Sequence, residues 1–292
     1  MSGIAFAVTA GVGFGLFQAV NRRANQGIDA YRSTFGLLVI GTIALAIVAS
    51  ITQDVSELWS APITSLLFFA GAGIVHFYFG WTFLTLSQQQ VGAARTGAAA
   101  AATPLVASLL AGIVLGEGAT LATAAGVVLV VIGVAVLSMR GMQLTADAKR
   151  IIPWFGLGAA LSWGTSPLFI RWGLEGLDSP LLGVTVGMAA AALSYGVSLT
   201  VTGRWGGDGI IPRSNLAWLM LAGLLVAVAI ASQWASYDLI AIAIATTLMQ
   251  LSAPVVIIAA PFIVGREMEP ITPPLVIGAG LVMAGSILVM LT

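Results

Sequence analysis

Residues 76–81 read His-Phe-Tyr-Phe-Gly-Trp and hold His76, the single histidine of the chain, in the middle of an apolar run from Ile63 to Leu86. A free imidazole titrates near about pH 6.5, so a histidine at that depth suits proton linkage as well as a hydrogen bond between helices. Ionisable groups in such runs are functional by default. Gly80, one turn on, shares the His76 face and lets a ligand or a helix approach closely. Tyr78 points roughly opposite, with Trp81, Thr82 and Thr85, so the two rings cannot both line one narrow face.

Further polar side chains stand inside other apolar runs. Gln233 and Tyr237 are four apart and share a helical face, beside Trp234 and Asp238. Gln250 precedes Ala253-Pro254 by three residues, on the same side as Thr246. Trp163 and Ser166 sit near the centre of another run, which Pro167 can bend. Gln18 precedes Asn21 and Arg22, and Arg95 and Thr96 precede a deeper Thr103. Each has a plain packing role beside the binding one. Aromatics fill interfaces, amides bridge helices, and arginines mark helix ends.

None of these groups composes a catalytic set. No Gly-x-Ser-x-Gly motif accompanies His76, and no phosphate-cradling loop with a lysine is present. Tyr237-Asp238 and Gly207-Asp208 hint at an intramembrane aspartyl pair. Trp205 stands where the first glycine of the second motif belongs, and the order of the two is reversed. With no cysteine, disulfide and thiolate chemistry are excluded, and one histidine argues against a zinc site. The reading is of a non-enzyme without cofactor, metal or catalytic residue.

The elements that must position these residues follow from composition. The chain has 292 residues, 59% hydrophobic and only 8% charged, against about 25% charged in a soluble domain. Net charge is zero, so no basic field draws nucleic acid. Ten segments approach the roughly 20 apolar residues that a spanning helix needs: 3–20, 33–51, 63–86, 94–115, 119–139, 152–170, 180–200, 215–237, 241–264 and 273–291. Backbone groups in lipid must bond within their own segment, so each is expected to be helical. The first lacks a basic flank, which distinguishes it from a cleaved signal. The expected fold class is therefore an all-α integral membrane protein.

The two halves repeat. Gly15, Arg22, Gly27 and Asp29 map onto Gly164, Arg171, Gly176 and Asp178 at a shift of 149. Thr96, Pro104 and Glu117 map onto Thr246, Pro254 and Glu267 at a shift of 150. Gly126 and Gly133 then map onto Gly278 and Gly285. The expected division is a first five-helix unit over 3–139, a linker over 140–151 and a second unit over 152–291. Five is odd, so the second unit enters the membrane inverted. Inverted repeats are typical of transporters, with the site near the midplane between the halves. His76 is then expected at the wall of that cavity, tuning binding or proton linkage. Pro104 and Pro254, each at the middle of a segment, are candidate hinges.

The ordered motifs resemble the drug/metabolite transporter superfamily, EamA type. They are Arg22…Gly27-x-Asp29, Thr103-Pro104 before Leu115-Gly116-Glu117, and their second-half counterparts Ala253-Pro254, Gly265-Arg266-Glu267 and Gly278…Gly285. The resemblance covers 3–139 and 152–291. It implies ten helices as five plus five and efflux of amino acids, other small metabolites or drugs without ATP hydrolysis. One departure stands out: Thr52–Ala61 carries Asp54 and Glu57 and no base, where such proteins often carry arginines.

The expected function is thus a secondary exporter of small metabolites, amino acids first, by alternating access. A multidrug or other metabolite carrier and a non-transporting scaffold or receptor are the alternatives. The substrate-binding candidates are His76, Tyr78, Trp81, Trp163, Ser166, Gln233, Tyr237, Thr246, Gln250, Gln18 and Arg95. Partners are a small-molecule substrate, a proton as candidate coupling ion and the bilayer. The internal pseudo-symmetry argues for a monomer, and the expected location is the bacterial inner membrane. Ten of the eleven Lys and Arg residues fall on one side, with Arg171 on the other. The positive-inside rule puts both termini outside, whereas the resemblance puts both inside.

Overall fold

The computed structural model describes residues 2–25, 29–138, 154–205, 213–263 and 273–291. All regular structure among them is helical. In chain order the elements are α1 (Ser2–Ala24), α2 (Ala30–Thr52), a short α3 (Glu57–Ser60), α4 (Ile63–Gly73), a π-helical segment (Ile74–Phe79), α5 (Gly80–Ala100), α6 (Thr103–Leu115), α7 (Leu121–Ser138), α8 (Trp154–Leu174), α9 (Pro180–Val201), α10 (Arg213–Leu239), α11 (Ile242–Met249), α12 (Ser252–Ile263) and α13 (Pro273–Met290). Six stretches among the described residues are long and apolar enough to cross a membrane. They are Ser2–Ala24, Ala30–Thr52, Ile63–Gln90, Pro180–Val201, Asn215–Leu239 and Ile242–Ala259. Large apolar side chains face outward along them, as at Ile51, Leu193 and Val201. In lipid such faces carry no penalty. The protein is a multi-pass integral membrane protein. The linker 140–151, Gly27, Asp208, Arg266 and Glu267 lie outside the described residues.

Two helix starts show how the local sequence sets the fold. Asp29 accepts hydrogen bonds from Tyr31 N and Arg32 N, each at 3.1 Å, and so caps α2. Ser179 caps α9, with Leu182 N donating to its hydroxyl at 3.3 Å, and Pro180 follows at the first helical position. An oxygen at the N-cap satisfies amides that have no helical partner. Asp29 and Asp178 are aligned in the sequence repeat, yet the cap in the second half is one residue later.

The expected segments 63–86 and 94–115 leave residues 87–93 between them, but α5 is helical from Gly80 to Ala100. Glutamine favours helix well enough for Gln88, Gln89 and Gln90 to continue it. The helix is not straight, because Thr96 Oγ1 donates to Ser87 Oγ at 2.8 Å. Nine residues of straight helix would separate the two by about 13.5 Å. The chain therefore turns sharply inside α5.

The helical paths break at Ala101–Ala102, before α6, and at Gln250–Leu251, before α12. Pro104 is thus in the first turn of α6, and Pro254 in the first turn of α12, where a missing amide proton costs little. The carbonyls four residues earlier are not stranded. Ala100 O accepts from the Thr103 hydroxyl at 2.8 Å, and Gln250 O accepts from Ala253 N at 3.0 Å. The expected mid-helix kinks are two-residue interruptions just ahead of each proline, where Ala101, Ala102 and Gln250 keep right-handed helical angles.

The main packing partners lie across the sequence midpoint. Helix α1 packs on α10, α11 and α12, and α8 packs on α4, α5 and α6. Helix α2 lies on α9, and α7 on α13. Glycines permit the closest approaches. A Cβ on Gly133 would lie 2.8 Å from Gly278 O, and one on Gly126 would lie 2.8 Å from Gly285 O. A Cβ on Gly73 would collide with the backbone of Gly187.

Candidate functional site

The π segment is a wide turn inserted between α4 and α5, and such insertions recur at functional sites. Its amides reach one residue too far. Gly80 N bonds to Val75 O, five residues back, so His76 O loses its usual helical donor. Trp163 Nε1 of α8 donates to that carbonyl at 3.1 Å. Gly80 makes room for the indole, since a Cβ there would lie 2.5 Å from Trp163 Nε1.

The return connection uses the side chain of His76, which is 5% exposed. Its Nδ1 lies 2.9 Å from Ser166 Oγ. Pro167 lacks an amide proton, so the carbonyl four residues earlier, Trp163 O, loses its helical donor. Ser166 Oγ donates to Trp163 O at 3.3 Å. The imidazole tautomer sets which of Nδ1 and Ser166 Oγ is the donor between them. His76, Ser166 and Trp163 therefore form a closed ring of hydrogen bonds between the π segment and the proline-bearing helix.

Tyr78 lies on the other side, against α9. Its hydroxyl is 2.6 Å from Ser198 Oγ, and its ring stands edge-on to Tyr195 at 5.1 Å. Thr82 Oγ1 lies 3.0 Å from the Tyr195 hydroxyl. Trp81 parts from that face: it stacks on Phe17 of α1 at 6.0 Å and meets Phe77 edge-on at 5.4 Å. A uniform 3.6-residue period groups Trp81 with Tyr78, but the wide turn immediately before it alters the register.

A second polar group sits between α10 and α11. Gln233 Nε2 donates to the Tyr237 hydroxyl at 3.1 Å and contacts Met249 Sδ at 3.1 Å. Gln233 is 6% exposed and Tyr237 1%. Gln233 Oε1 and Trp234 Nε1 are buried without a hydrogen-bond partner among the described residues. Such groups are costly to leave unpaired, and in a folded protein each calls for a reason.

The other candidates are placed differently. The Thr246 hydroxyl turns back onto Ile242 O at 2.7 Å. Gln250 ends α11 at the break, and Gln18 is exposed on α1. The Arg95 side chain lies outside the described residues. Helix α1 runs directly against the second break: a Cβ on Gly11 would lie 2.9 Å from Leu248 O, and one on Gly15 would lie 2.8 Å from Ser252 O. Its repeat counterpart Gly164 approaches Val106 and Ala107 of α6, with Ala107 N 3.0 Å from a Cβ built on it.

One group of functional interest is not among the site candidates read from the sequence, where Glu117 and Arg171 stand only as repeat and motif positions. Arg171 Nη2 donates to Glu117 Oε1 and to Ile240 O, each at 3.0 Å. Glu117 Oε2 accepts from Ile242 N at 2.8 Å. The pair borders a cleft of about 310 Å³ with Gly118, Asp238 and Ala241. A signal was present, since Arg171 was the lone base on its side and an acid stood in a turn on the same side.

Comparison with known proteins agrees with this architecture. The sequence profile of the EamA-like transporter family matches residues 1–139. No curated protein matches the chain. A solved crystal structure superposes with a TM-score of 0.78 at 18% identity, covering 99% of this chain and 96% of that one. That likeness concerns the fold, and it extends over both halves. Residues 1–139 thus match the EamA-like transporter family, and the long apolar helices make the chain a multi-pass membrane protein.

Proposed function

We propose that the protein is a secondary carrier that exports small amphipathic solutes, amino acids first among them, by alternating access. The working units are 3–139 and 152–291 as inverted five-helix repeats, acting as a monomer in a bacterial inner membrane. The observation that carries this reading is the pair of helix breaks at Ala101–Ala102 and Gln250–Leu251, beside α8 and α1 respectively. Carriers built from repeats bind their solutes at interrupted helices near the midplane, where irregular backbone lines a cavity. Pro104 and Pro254 keep the breaks from healing into continuous helix, and they serve as the hinges.

Solute recognition is assigned to the buried polar and aromatic groups between the units. The unpaired Gln233 Oε1 accepts from an ammonium or amide donor of the solute, with Tyr237 and Met249 beside it. Trp81 and Phe17 offer a stacked aromatic wall to an apolar side chain. His76, held by Ser166 through Nδ1, keeps Nε2 for a proton, which makes it the coupling residue. Thr246, Gln250, Gln18 and Arg95 complete the proposed path.

The test is flux from proteoliposomes preloaded with labelled amino acids and other metabolites, with and without a pH gradient. Saturable release of a few compounds is expected, faster with an inward proton gradient, and that acceleration is lost in His76→Ala. Release unaffected by the gradient removes the coupling role. A folded protein that releases nothing favours a receptor or scaffold.

A further inference from the structure

We infer that Glu117 and Arg171 form the latch of one mouth of the pathway, and that the 310 Å³ cleft beside them is the vestibule it closes. The inference rests on the transport reading above. Three elements meet at the pair: the turn after α6, the C-terminal end of α8, and the junction of α10 with α11. Arg171 holds the α10 end through Ile240 O, Glu117 holds the α11 start through Ile242 N, and the two hold each other. The charges suit those positions. A carboxylate stabilises a helix N-terminus and a guanidinium a helix C-terminus. One ion pair thus sews the junction to both α6 and α8.

The surroundings are built to let go. Gly116 adopts the left-handed conformation, φ 68°, and both Gly116 and Gly118 look onto open space. Glu117 therefore sits in a turn with room to swing. The side chains of Arg171 and Glu117 are 29% and 18% exposed, so water reaches the pair. A hydrated ion pair is weak enough to break in each cycle, unlike one sealed in the interior. Release would free α11, a helix of only eight residues that ends at the Gln250–Leu251 break. Opening at the latch is thereby coupled mechanically to the proposed hinge.

The absence of native cysteine makes a direct test possible. Ala243, in the first turn of α11, is 6% exposed and serves as reporter after Ala243→Cys. Ala159 on α8, 0% exposed, serves as a remote control after Ala159→Cys. Labelling by a hydrophilic thiol reagent is followed on the full-length protein in detergent, alone and with Glu117→Gln or Arg171→Met. Each latch variant is expected to speed labelling at position 243 about tenfold, the size of a modest population shift, with position 159 unchanged. No change at 243 in variants that melt like the parent overturns the latch. Equal acceleration at both positions also overturns it, by assigning the pair to global stability. No solute is needed, so this outcome is independent of the flux assay. A latch that opens in a protein that carries nothing would sink the transport reading alone.

Discussion

The contact between α7 and α13 is made by glycine backbones, whereas the contact between the π segment and α8 is made by polar side chains. In the first, Gly126 and Gly133 bring the helices so close that a Cβ would meet the carbonyls of Gly285 and Gly278. Dispersion at short range holds such a pair, and one geometry satisfies it. In the second, His76, Ser166 and Trp163 capture carbonyls that a wide turn and a proline have released. A contact of that kind depends on side-chain rotamers rather than on backbone approach, so it can break without the helices parting. The difference teaches where this fold is set rigidly and where it retains choice: glycine contact fixes α7 on α13, and polar side chains join the irregular backbone of the π segment to α8.

That contrast can be broken most forcefully at Gly133. Gly133→Val drives a branched side chain into Gly278 O and Val282 N, and overpacking of this kind costs about 3 kcal/mol. Melting in detergent should drop sharply, while flux per folded molecule keeps its solute selectivity. An unchanged melting curve would mean that close glycine contact does not hold this pair. His76→Ala should behave inversely, costing about 1 kcal/mol of stability for one interhelical bond, yet abolishing the response of flux to a pH gradient. Parallel loss of both properties would make the ring structural.

Gln233→Leu sharpens the comparison through its sign. It removes a buried unpaired acceptor, so stability should hold or rise by about 1 kcal/mol, while solute affinity falls in a binding assay by tritiated ligand. A fall in stability would show that the bond to Tyr237 matters more than the stranded oxygen. The smallest effect is expected from Trp163→Phe, which keeps an aromatic ring and deletes only the donor to His76 O. Less than about 1 kcal/mol should be lost, and amide exchange should quicken within residues 74–80. Exchange identical to the parent would show that the indole does not restrain the wide turn.

Much of this was legible from residue types. Membrane class, helical secondary structure and the family match of residues 1–139 all follow from apolar length and motif order. Asp29 could be read as punctuation, because an N-cap acts within three residues of itself. The opposed directions of His76 and Tyr78 could be read too, since positions two apart on a helix point about 200° from each other. The grouping of Trp81 with Tyr78 could not. It assumed 3.6 residues per turn through a segment whose hydrogen bonds reach five residues back. The prolines were visible, but whether a helix kinks or breaks depends on what presses against it. Here α1 and α8 do so through Gly15 and Gly164.

The sequence by itself determined what could lie in lipid, where helices could start, and which positions were small enough for close approach. These are properties of single residues and of neighbours a few positions apart. Only the tertiary structure decided that Glu117 meets Arg171 across 54 residues and Ile242 across 125, or that Trp163 supplies the bond His76 O lacks across 87. Such pairings arise because a buried donor or acceptor must find a partner wherever packing brings one. No local pattern specifies which distant helix that will be.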